Sequence, residues 1–174
     1  IDEGNIQIPD KQDIGVVLSE KGFSEFFTVS DIISILKCTY KHFDEDLFRS
    51  YCQRFDIPLD KKTRTFSTGM KAKLNIIIAL THHAQLLILD EPTAGLDVLT
   101  RDEILDILRD YIEKEDCTIL ISSHISSDLE SLCDDLYIID HGQIIMHEEM
   151  DTLLSQYGVL KVSKEDDDNL DKDY

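Results

Sequence analysis

Two consecutive carboxylates, Asp90 and Glu91, directly follow four apolar residues at positions 86–89. An uninterrupted apolar run of this length predicts a strand that is buried on both faces. In open α/β sheets, ligands bind beyond the carboxyl ends of such strands. One carboxylate placed there can hold Mg²⁺ through its water shell, and a second can orient or deprotonate a water that attacks phosphorus. The alternative is a strand that simply ends in two solvated acids.

A second polar segment, Ser67, Thr68 and Gly69, stands at the start of a predicted helix. Apolar residues recur behind it at helical spacing, which predicts Ser67 as the N-cap. The free N–H groups of a helix N-terminus, a hydroxyl and a glycine that admits close backbone approach together suit a phosphate. An ordinary serine-capped helix explains the same residues, so this segment alone does not decide between the two.

Two more polar residues follow the acidic pair along the chain. Asp97 ends a four-residue turn that begins at Ala94, and His124 follows the next apolar run and two serines. An imidazole at such a strand end can contact a terminal phosphate. All of these residues suit one phosphate site, provided that the fold brings them together.

The elements that must position these residues alternate from residue 85 onward. Apolar runs at 86–89 and 118–121 predict strands, and an apolar stripe between 104 and 112 predicts a helix that connects them. A further helix beginning near Ser127 and a hairpin within residues 136–146 follow. Apolar strands joined through helices predict an α/β fold, with a mostly parallel sheet that helices cover on both faces.

The part of the chain before residue 85 predicts a strand followed by helices. The apolar run 14–18 predicts a strand that enters a loop at Ser19. Between residues 30 and 55 the apolar period becomes three to four residues, which predicts two helices capped by Ser30 and Asp44.

The composition is globular and strongly acidic. The chain has 174 residues, with 36 acidic and 17 basic side chains and a formal net charge of −19. Affinity for nucleic acid is built from Lys and Arg, so this balance argues against a nucleic-acid partner. No apolar run reaches the roughly 18 residues of a membrane span, and the four cysteines fit buried thiols. The adjacent His82 and His83 fit a solvated helix end better than a metal site.

The order of these segments resembles the nucleotide-binding domain of ABC transporters. Residues 67–70 are similar to its signature sequence, residues 86–91 to its Walker B strand and residues 94–97 to its D-loop, and His124 is similar to the switch histidine. The Ser-Thr-Gly-Met-Lys form of the signature is most similar to that of bacterial exporters of drugs, peptides or bacteriocins.

The resemblance implies a partial P-loop NTPase core with a mostly parallel sheet, plus a small helical subdomain. It divides the chain into four parts, which are a Q-loop strand and loop region (1–27), a helical subdomain ending in the signature helix (28–84), the Walker B, D-loop and H-loop part of the ATPase core (85–158), and an acidic C-terminal tail (159–174).

The resemblance also implies chemical roles, with ATP and Mg²⁺ as cofactors. Asp90 would hold the Mg²⁺ ion through its water shell, Glu91 would be the general base, and His124 would contact the γ-phosphate. The Q-loop glutamine of the family falls on or beside Ser19, where a shorter side chain stands.

In this family, ATP lies between two domains arranged head to tail. The resemblance implies that Ser67, Thr68 and Gly69 contact ATP bound to the partner and that Asp97 couples the two sites. The partner would be a second nucleotide-binding domain, in a homodimer or a heterodimer. A transmembrane permease subunit would hold the pair in the cytoplasm, on the inner face of the cell membrane, and would select a substrate that this sequence leaves open.

The largest departure from the family is the lack of a phosphate-binding loop. The 174 residues contain no G-x-x-x-x-G-K-[ST] motif. We therefore expect the chain as given to be a fragment that neither binds nor hydrolyses ATP appreciably. Because the family places the P-loop strand next to the strand predicted at 118–121, we also expect an unpaired strand edge there and a tendency to self-associate.

Three functions remain open on the sequence alone. The first is an ATPase subunit of a bacterial exporter, and the second is a non-hydrolytic interaction or dimerisation module derived from such a domain. The third is a chromosome-maintenance ATPase whose lobes are separated by a coiled coil, but the residues before Ser67 lack sustained heptads. A P-loop in the intact protein would distinguish the first function from the second.

Overall fold

The computed structural model describes residues 5, 7–18, 22–114 and 117–156. The chain divides into two compact units, one ending at Asp128 and the other beginning at Leu129. Ser19 and the segment 159–174, which the sequence predicts to be an acidic tail, lie outside the described residues.

Three parallel strands form the sheet of the first unit, which confirms the predicted α/β fold. They are β1 (Ile14–Val17), β2 (Leu86–Asp90) and β3 (Thr118–Ser122), in the order β1-β2-β3. In parallel strands the carboxyl ends meet at one edge, so the end of β2 lies beside the end of β3, and Asp90 pairs with Ser122. Within the described residues β3 is an edge strand of this sheet, as the sequence predicts.

Two short helices, α1 (Val29–Thr39) and α2 (Glu45–Arg54), follow β1. Asp44 caps α2 as predicted, because its carboxylate accepts the N–H of Leu47 at 2.8 Å. The prediction that Ser30 caps α1 is wrong. Thr28 is the cap, in a reciprocal capping box with Asp31, and Ser30 lies inside the first turn.

Helix α3 (Thr68–Leu80) begins at the predicted cap Ser67 and lies against β1. Gly15 of β1 makes this approach possible, because a Cβ atom there would lie 2.7 Å from the carbonyl oxygen of Ala79. At a Cβ–oxygen distance below 3.0 Å the backbone itself would have to move. A side chain at position 15 would therefore push α3 away from the sheet.

The two faces of the sheet are buried unequally, and the prediction of helices on both faces is wrong for the described residues. On the face toward α3, Leu87 is 0% exposed and Leu89 is buried as well. On the opposite face, Val16 and Leu120 are 50% and 61% exposed. Apolar content indicated a buried strand, but it carries no information about which face the helices of the chain cover.

The predicted solvated cap at His82 is also wrong. His82 is buried, stacks on Tyr40 at 4.1 Å between ring centroids, and reaches the carbonyl oxygens of Ile78 and Ile14 at 3.3 and 3.2 Å. Burial lowers the pKa of this imidazole. His82 thus connects the end of α3 to the start of β1.

The long helix α4 (Val98–Lys114) connects β2 to β3. Its predicted apolar stripe is confirmed, since the side chains buried most deeply are those of Ile104, Leu105, Ile107, Leu108 and Tyr111. The helix α5 (Ser126–Leu132) follows β3 and begins one residue before the predicted start.

The second unit contains the predicted hairpin. Strands β4 (Asp135–Asp140) and β5 (Gln143–Glu149) pair antiparallel and precede α6 (Met150–Gln156). Both residues of the two-residue turn have positive φ, 46° at His141 and 77° at Gly142, as in a type I′ turn. Among the described helices of both units, none has the length and apolar content of a membrane span.

Candidate active site

The carboxyl ends of β2 and β3 are joined by a compact set of hydrogen bonds. The Ser122 hydroxyl donates to Oδ1 of Asp90 at 2.8 Å and accepts the Glu91 N–H at 3.2 Å. The same N–H donates to the Ser122 carbonyl oxygen at 3.1 Å. The end of β3 therefore holds the backbone of Glu91 and orients the carboxylate of Asp90.

His124 lies next to the second carboxylate of the pair. Its Nδ1 is 2.8 Å from Oε2 of Glu91, and the side chains are 70% and 28% exposed for His124 and Glu91, respectively. An ionised carboxylate only accepts hydrogen bonds, so in this contact the imidazole carries a proton on Nδ1. The remaining ring nitrogen is then available to another group. Asp90, Glu91 and His124 thus converge at one edge of the sheet.

The backbone of Glu91 adopts a conformation that is rare for residues other than glycine. Its φ is +49°, in the left-handed region. The chain then turns sharply, with the Ala94 N–H donating to the Glu91 carbonyl at 3.2 Å and with Gly95 at a φ of +69°. This turn leads the chain from the end of β2 into α4.

At the start of α3, the Ser67 hydroxyl is engaged in a hydrogen bond within its own helix. The Ser67 hydroxyl accepts the Met70 N–H at 3.2 Å, which is an ordinary N-cap contact. Gly69 packs closely on Thr100 of α4, because a Cβ atom at position 69 would lie 2.9 Å from its Cγ2.

Asp97 precedes α4 and caps its first turn, and the partner of its carboxylate is the same Thr100. Its carboxylate accepts the Thr100 N–H at 3.1 Å and the hydroxyl at 2.8 Å. These hydrogen bonds lower the pKa of Asp97. Thr100 therefore connects Gly69 to Asp97, so the start of α3 and the turn after β2 are in contact through one side chain.

A cavity of about 540 Å³ separates α3 from the sheet edge. Asp90 and Glu91 line it together with Thr68 and Lys71 of α3. Lys71 pairs with Glu25 at 2.7 Å, and the hydrogen bond and charge of Lys71 lower the pKa of Glu25. The cavity wall is therefore acidic at the sheet edge, with its lysine already paired.

Six of the eight predicted site residues fall into two groups. The structure brings Asp90, Glu91 and His124 together at the sheet edge, and Thr68 shares the cavity with the two acids. Gly69 and Asp97 meet through Thr100, whereas Ser67 is engaged as a cap. Ser19 lies outside the described residues, so the structure does not place it.

Sequence reasoning missed two features of this region. The first is Ser122, whose position at the polar end of a predicted strand beside Asp90 was an available signal. The second is Asp128, a fully buried carboxylate that accepts hydrogen bonds from Thr93 at 2.6 Å and from Arg101 Nε at 2.5 Å. Periodicity contains no signal for contacts between residues so distant along the chain.

Comparisons with known proteins identify the family. Residues 6–127 match the family model described as "AAA domain, putative AbiEii toxin, Type IV TA system". The ABC transporter ATP-binding protein YtrB of Bacillus subtilis is 30% identical over 160 residues, which cover 92% of this chain and 55% of that protein. The lantibiotic transport ATP-binding protein SrtF of Streptococcus pyogenes is 45% identical over 94 residues, which cover 53% of this chain and 41% of that protein.

A solved structure agrees with the sequence matches. The cbiO1 protein from Clostridium perfringens, described as part of the ABC transporter complex cbiONQ, aligns with a TM-score of 0.66 and 26% identity. The alignment covers 84% of this chain and 61% of that one, and the chain spans about half the length of YtrB. The fold is that of P-loop NTPases, and the curated relatives to which the chain is similar are ATP-binding proteins of ABC transporters. The chain therefore belongs to this AAA-domain family.

Proposed function

We propose that this 174-residue chain is part of an ATP-binding subunit that couples ATP hydrolysis to export through a membrane permease. The observation that carries the proposal is the convergence of Asp90, Glu91 and His124 at the carboxyl ends of neighbouring parallel strands. Ligands of open α/β sheets bind at such an edge. A strand that merely ended in solvated acids would not need an imidazole 2.8 Å from one of them.

Glu91 has the surroundings that a general base requires. It lines the cavity, it is partly buried, and its backbone is held by the end of β3. His124 can donate to one carboxylate oxygen and leave the other free to accept a proton from water. We assign Glu91 as the base and His124 as the residue that orients it and faces the terminal phosphate.

The residues fit a magnesium ion that is bound mainly through phosphate and water. Mg²⁺ is usually held by one or two carboxylates plus substrate phosphates rather than by a cage of protein ligands. Asp90 offers a carboxylate oriented by Ser122, and no group of three or more His, Cys, Asp or Glu side chains in the described residues could hold a metal ion. When bound, ATP would supply the phosphoryl bond that is cleaved, and its Mg²⁺ would neutralise part of the phosphate charge.

We assign Ser67, Thr68 and Gly69 to contact with the ATP of a partner domain in a head-to-tail dimer. The contact between Gly69 and Thr100, and the capping of α4 by Asp97, support a coupling role for Asp97. A shift of α3 relative to α4 would be felt at Asp97, two residues after Gly95 of the turn that follows Glu91. The partner would be a second nucleotide-binding domain, identical or different.

We further propose a cytoplasmic location, on the inner face of the membrane and held there by a permease. The names of the relatives support this assembly, since SrtF is described as a lantibiotic transport protein and cbiO1 as part of a transporter complex. This similarity favours a peptide or a drug as the exported substrate.

The 174 residues contain no phosphate-binding loop, so we propose that another segment of the intact subunit provides it. The same fact favours the second candidate function, a non-hydrolytic module that dimerises or binds a partner without nucleotide. The two are distinguished by ATP hydrolysis in the intact protein.

The decisive experiment replaces Glu91 by Gln in the intact, ATP-hydrolysing subunit. We expect turnover to fall by at least about 10²-fold, as when a proton-transfer group is lost, while ATP binding remains and an ATP-bound dimer accumulates in size-exclusion chromatography. Glu113→Gln, at an exposed position near the end of α4, is the matched control and should keep its turnover. Unchanged turnover in Glu91→Gln would refute the general base.

The 174-residue chain provides a second test. A ligand that binds only the native state raises the melting temperature. Since the chain lacks the phosphate-binding loop, we expect no shift at millimolar Mg-ATP, as measured by differential scanning fluorimetry. A clear, Mg²⁺-dependent rise would show that the chain binds nucleotide without that loop.

A further inference from the structure

Asp128 is the most deeply buried ionisable side chain near the site, and its carboxylate joins its own segment to two others. Its Oδ2 accepts the Thr93 hydroxyl at 2.6 Å, and its Oδ1 accepts Nε of Arg101 at 2.5 Å. Arg101 also donates to the neighbouring Ser127 hydroxyl. Asp128 is fully buried and Thr93 nearly so, so these bonds form away from water.

Asp128 and its two partners each stand a few residues after a residue of the proposed site. Thr93 stands two residues after Glu91, Arg101 stands four residues after Asp97, and Asp128 stands four residues after His124. Asp128 belongs to the segment that carries His124, and its carboxylate binds one residue from each of the segments that carry Glu91 and Asp97. Its loss would remove the one described side chain that binds both of the other segments at this point.

The contacts between the Glu91 segment and the His124 segment differ in strength. In the pair of His124 and Glu91 the imidazole is 70% exposed, and a contact that water and salt reach contributes little because they screen it. The bond between Thr93 and Asp128 is buried and assisted by charge, and such bonds are shorter and stronger. The buried contact is thus the one that can fix the distance at the exposed pair.

We propose that Asp128 is a positioning residue which, with Arg101 and Thr93, holds Glu91 and His124 at the separation that hydrolysis requires. This inference rests on the proposed function, because it assigns a role in the reaction catalysed there. Misplacement of a reacting group by about 1 Å can cost about 10²-fold in rate. Asp128 itself does not contact the reacting atoms.

A merely structural role for the buried pair predicts a different outcome in one double variant. Replacing a buried ion pair by apolar residues of similar size commonly preserves stability, whereas removing one partner leaves an uncompensated charge. We therefore combine Asp128→Leu with Arg101→Met in the intact subunit. We expect a melting temperature close to that of the wild type but a kcat for ATP hydrolysis at least about tenfold lower, with KM for ATP changed less than about twofold.

The control is the exposed pair of Asp106 and Arg109, also on α4. The double variant Asp106→Asn with Arg109→Gln should retain both its melting temperature and its kcat. A wild-type kcat in the Asp128→Leu/Arg101→Met variant would overturn the positioning role. Glu91→Gln in the same assay separates the two proposals, since full turnover in Glu91→Gln would refute the proposed function instead.

A milder variant keeps the test decisive if the apolar pair does not fold. Thr93→Val removes one hydroxyl, keeps the shape, and leaves the pair of Arg101 and Asp128 intact. We expect a lowered kcat at unchanged KM and, in the 174-residue chain, faster hydrogen exchange at the Glu91 amide, which donates to Ser122. A folded Thr93→Val variant with wild-type kcat and wild-type exchange at Glu91 would refute the proposal.

Discussion

The two faces of the three-stranded sheet both carry large apolar side chains but bury them very differently. Leu87 is fully buried on the face toward α3, whereas Leu120 is 61% exposed on the other. The difference arises because α3 packs against β1 on one side only, where Gly15 admits it. The sheet edge that carries Asp90 and Glu91 is therefore stabilised from the α3 side in the part of the chain that the structure describes.

The largest effect that tests this comparison is the loss of Leu87. Leu87→Ala removes a fully buried side chain and leaves a cavity, which costs about 2–5 kcal/mol in the free energy of unfolding. Leu120→Ala removes a side chain of the same type that is mostly in water, and it should cost less than about 1 kcal/mol. Chemical denaturation of both variants measures the two losses.

Equal losses would contradict the comparison. If Leu120→Ala costs as much as Leu87→Ala, the face that carries Val16 and Leu120 is covered in solution, for instance by self-association. Repeating the measurement at several protein concentrations identifies that case, because only an associated state depends on concentration.

A smaller effect is expected from the cap of α3. Ser67→Ala removes the hydroxyl that accepts the Met70 N–H, and the loss of an N-cap typically costs about 1 kcal/mol. Ser34→Ala, at an exposed position inside α1, is the matched control and should leave stability nearly unchanged. A loss no greater than that of the control would show that the cap does not stabilise the helix that covers the sheet.

The third and smallest effect is a pH dependence at the other end of α3. Burial lowers the pKa of His82 in the folded protein. The carbonyls of Ile14 and Ile78 act against the shift, as does Asp13 more weakly, whereas the neighbouring His83 acts with it. As pH falls below the ordinary value of about 6.5, the unfolded chain binds a proton that the folded chain resists. The stability contribution of neutral His82 is therefore present above that pH and is lost as pH falls toward the folded-state pKa.

His82→Gln should remove this dependence. When pH is lowered from 7.5 to 5.5, we expect the melting temperature of the wild type to fall further than that of His82→Gln. His141→Gln, at a highly exposed position in the hairpin, controls for general charge effects and should follow the wild type. Parallel curves for all three proteins would mean that His82 does not titrate differently on folding.

The sequence predicted the features that depend on local signals. The acidic pair at the end of β2, the cap Ser67 and the stripe of α4 each follow from a few neighbouring residues, and the structure has all of them. The convergence of His124 on Glu91 followed from a rule of parallel sheets, in which strand ends meet at one edge.

The features that sequence reasoning missed depend on distant contacts or on close competitors. Thr93 and Asp128 are 35 residues apart, and no period of the sequence relates them. Thr28 and Ser30 are both acceptable caps by type, and the reciprocal bond to Asp31 decides in favour of Thr28. The prediction that His82 is solvated failed because one partner of its ring is the carbonyl of Ile14, which lies in another element.

The left-handed backbone at Glu91 has a consequence for how this protein can change. A residue other than glycine held at a φ of +49° costs of order 1–3 kcal/mol, and glycine would avoid most of that cost. Screening variants for thermal robustness alone would therefore favour losing the acid. Proteins gain stability easily at such positions and give up activity in return. The proposed base thus occupies the position where selection for durability and selection for turnover pull in opposite directions.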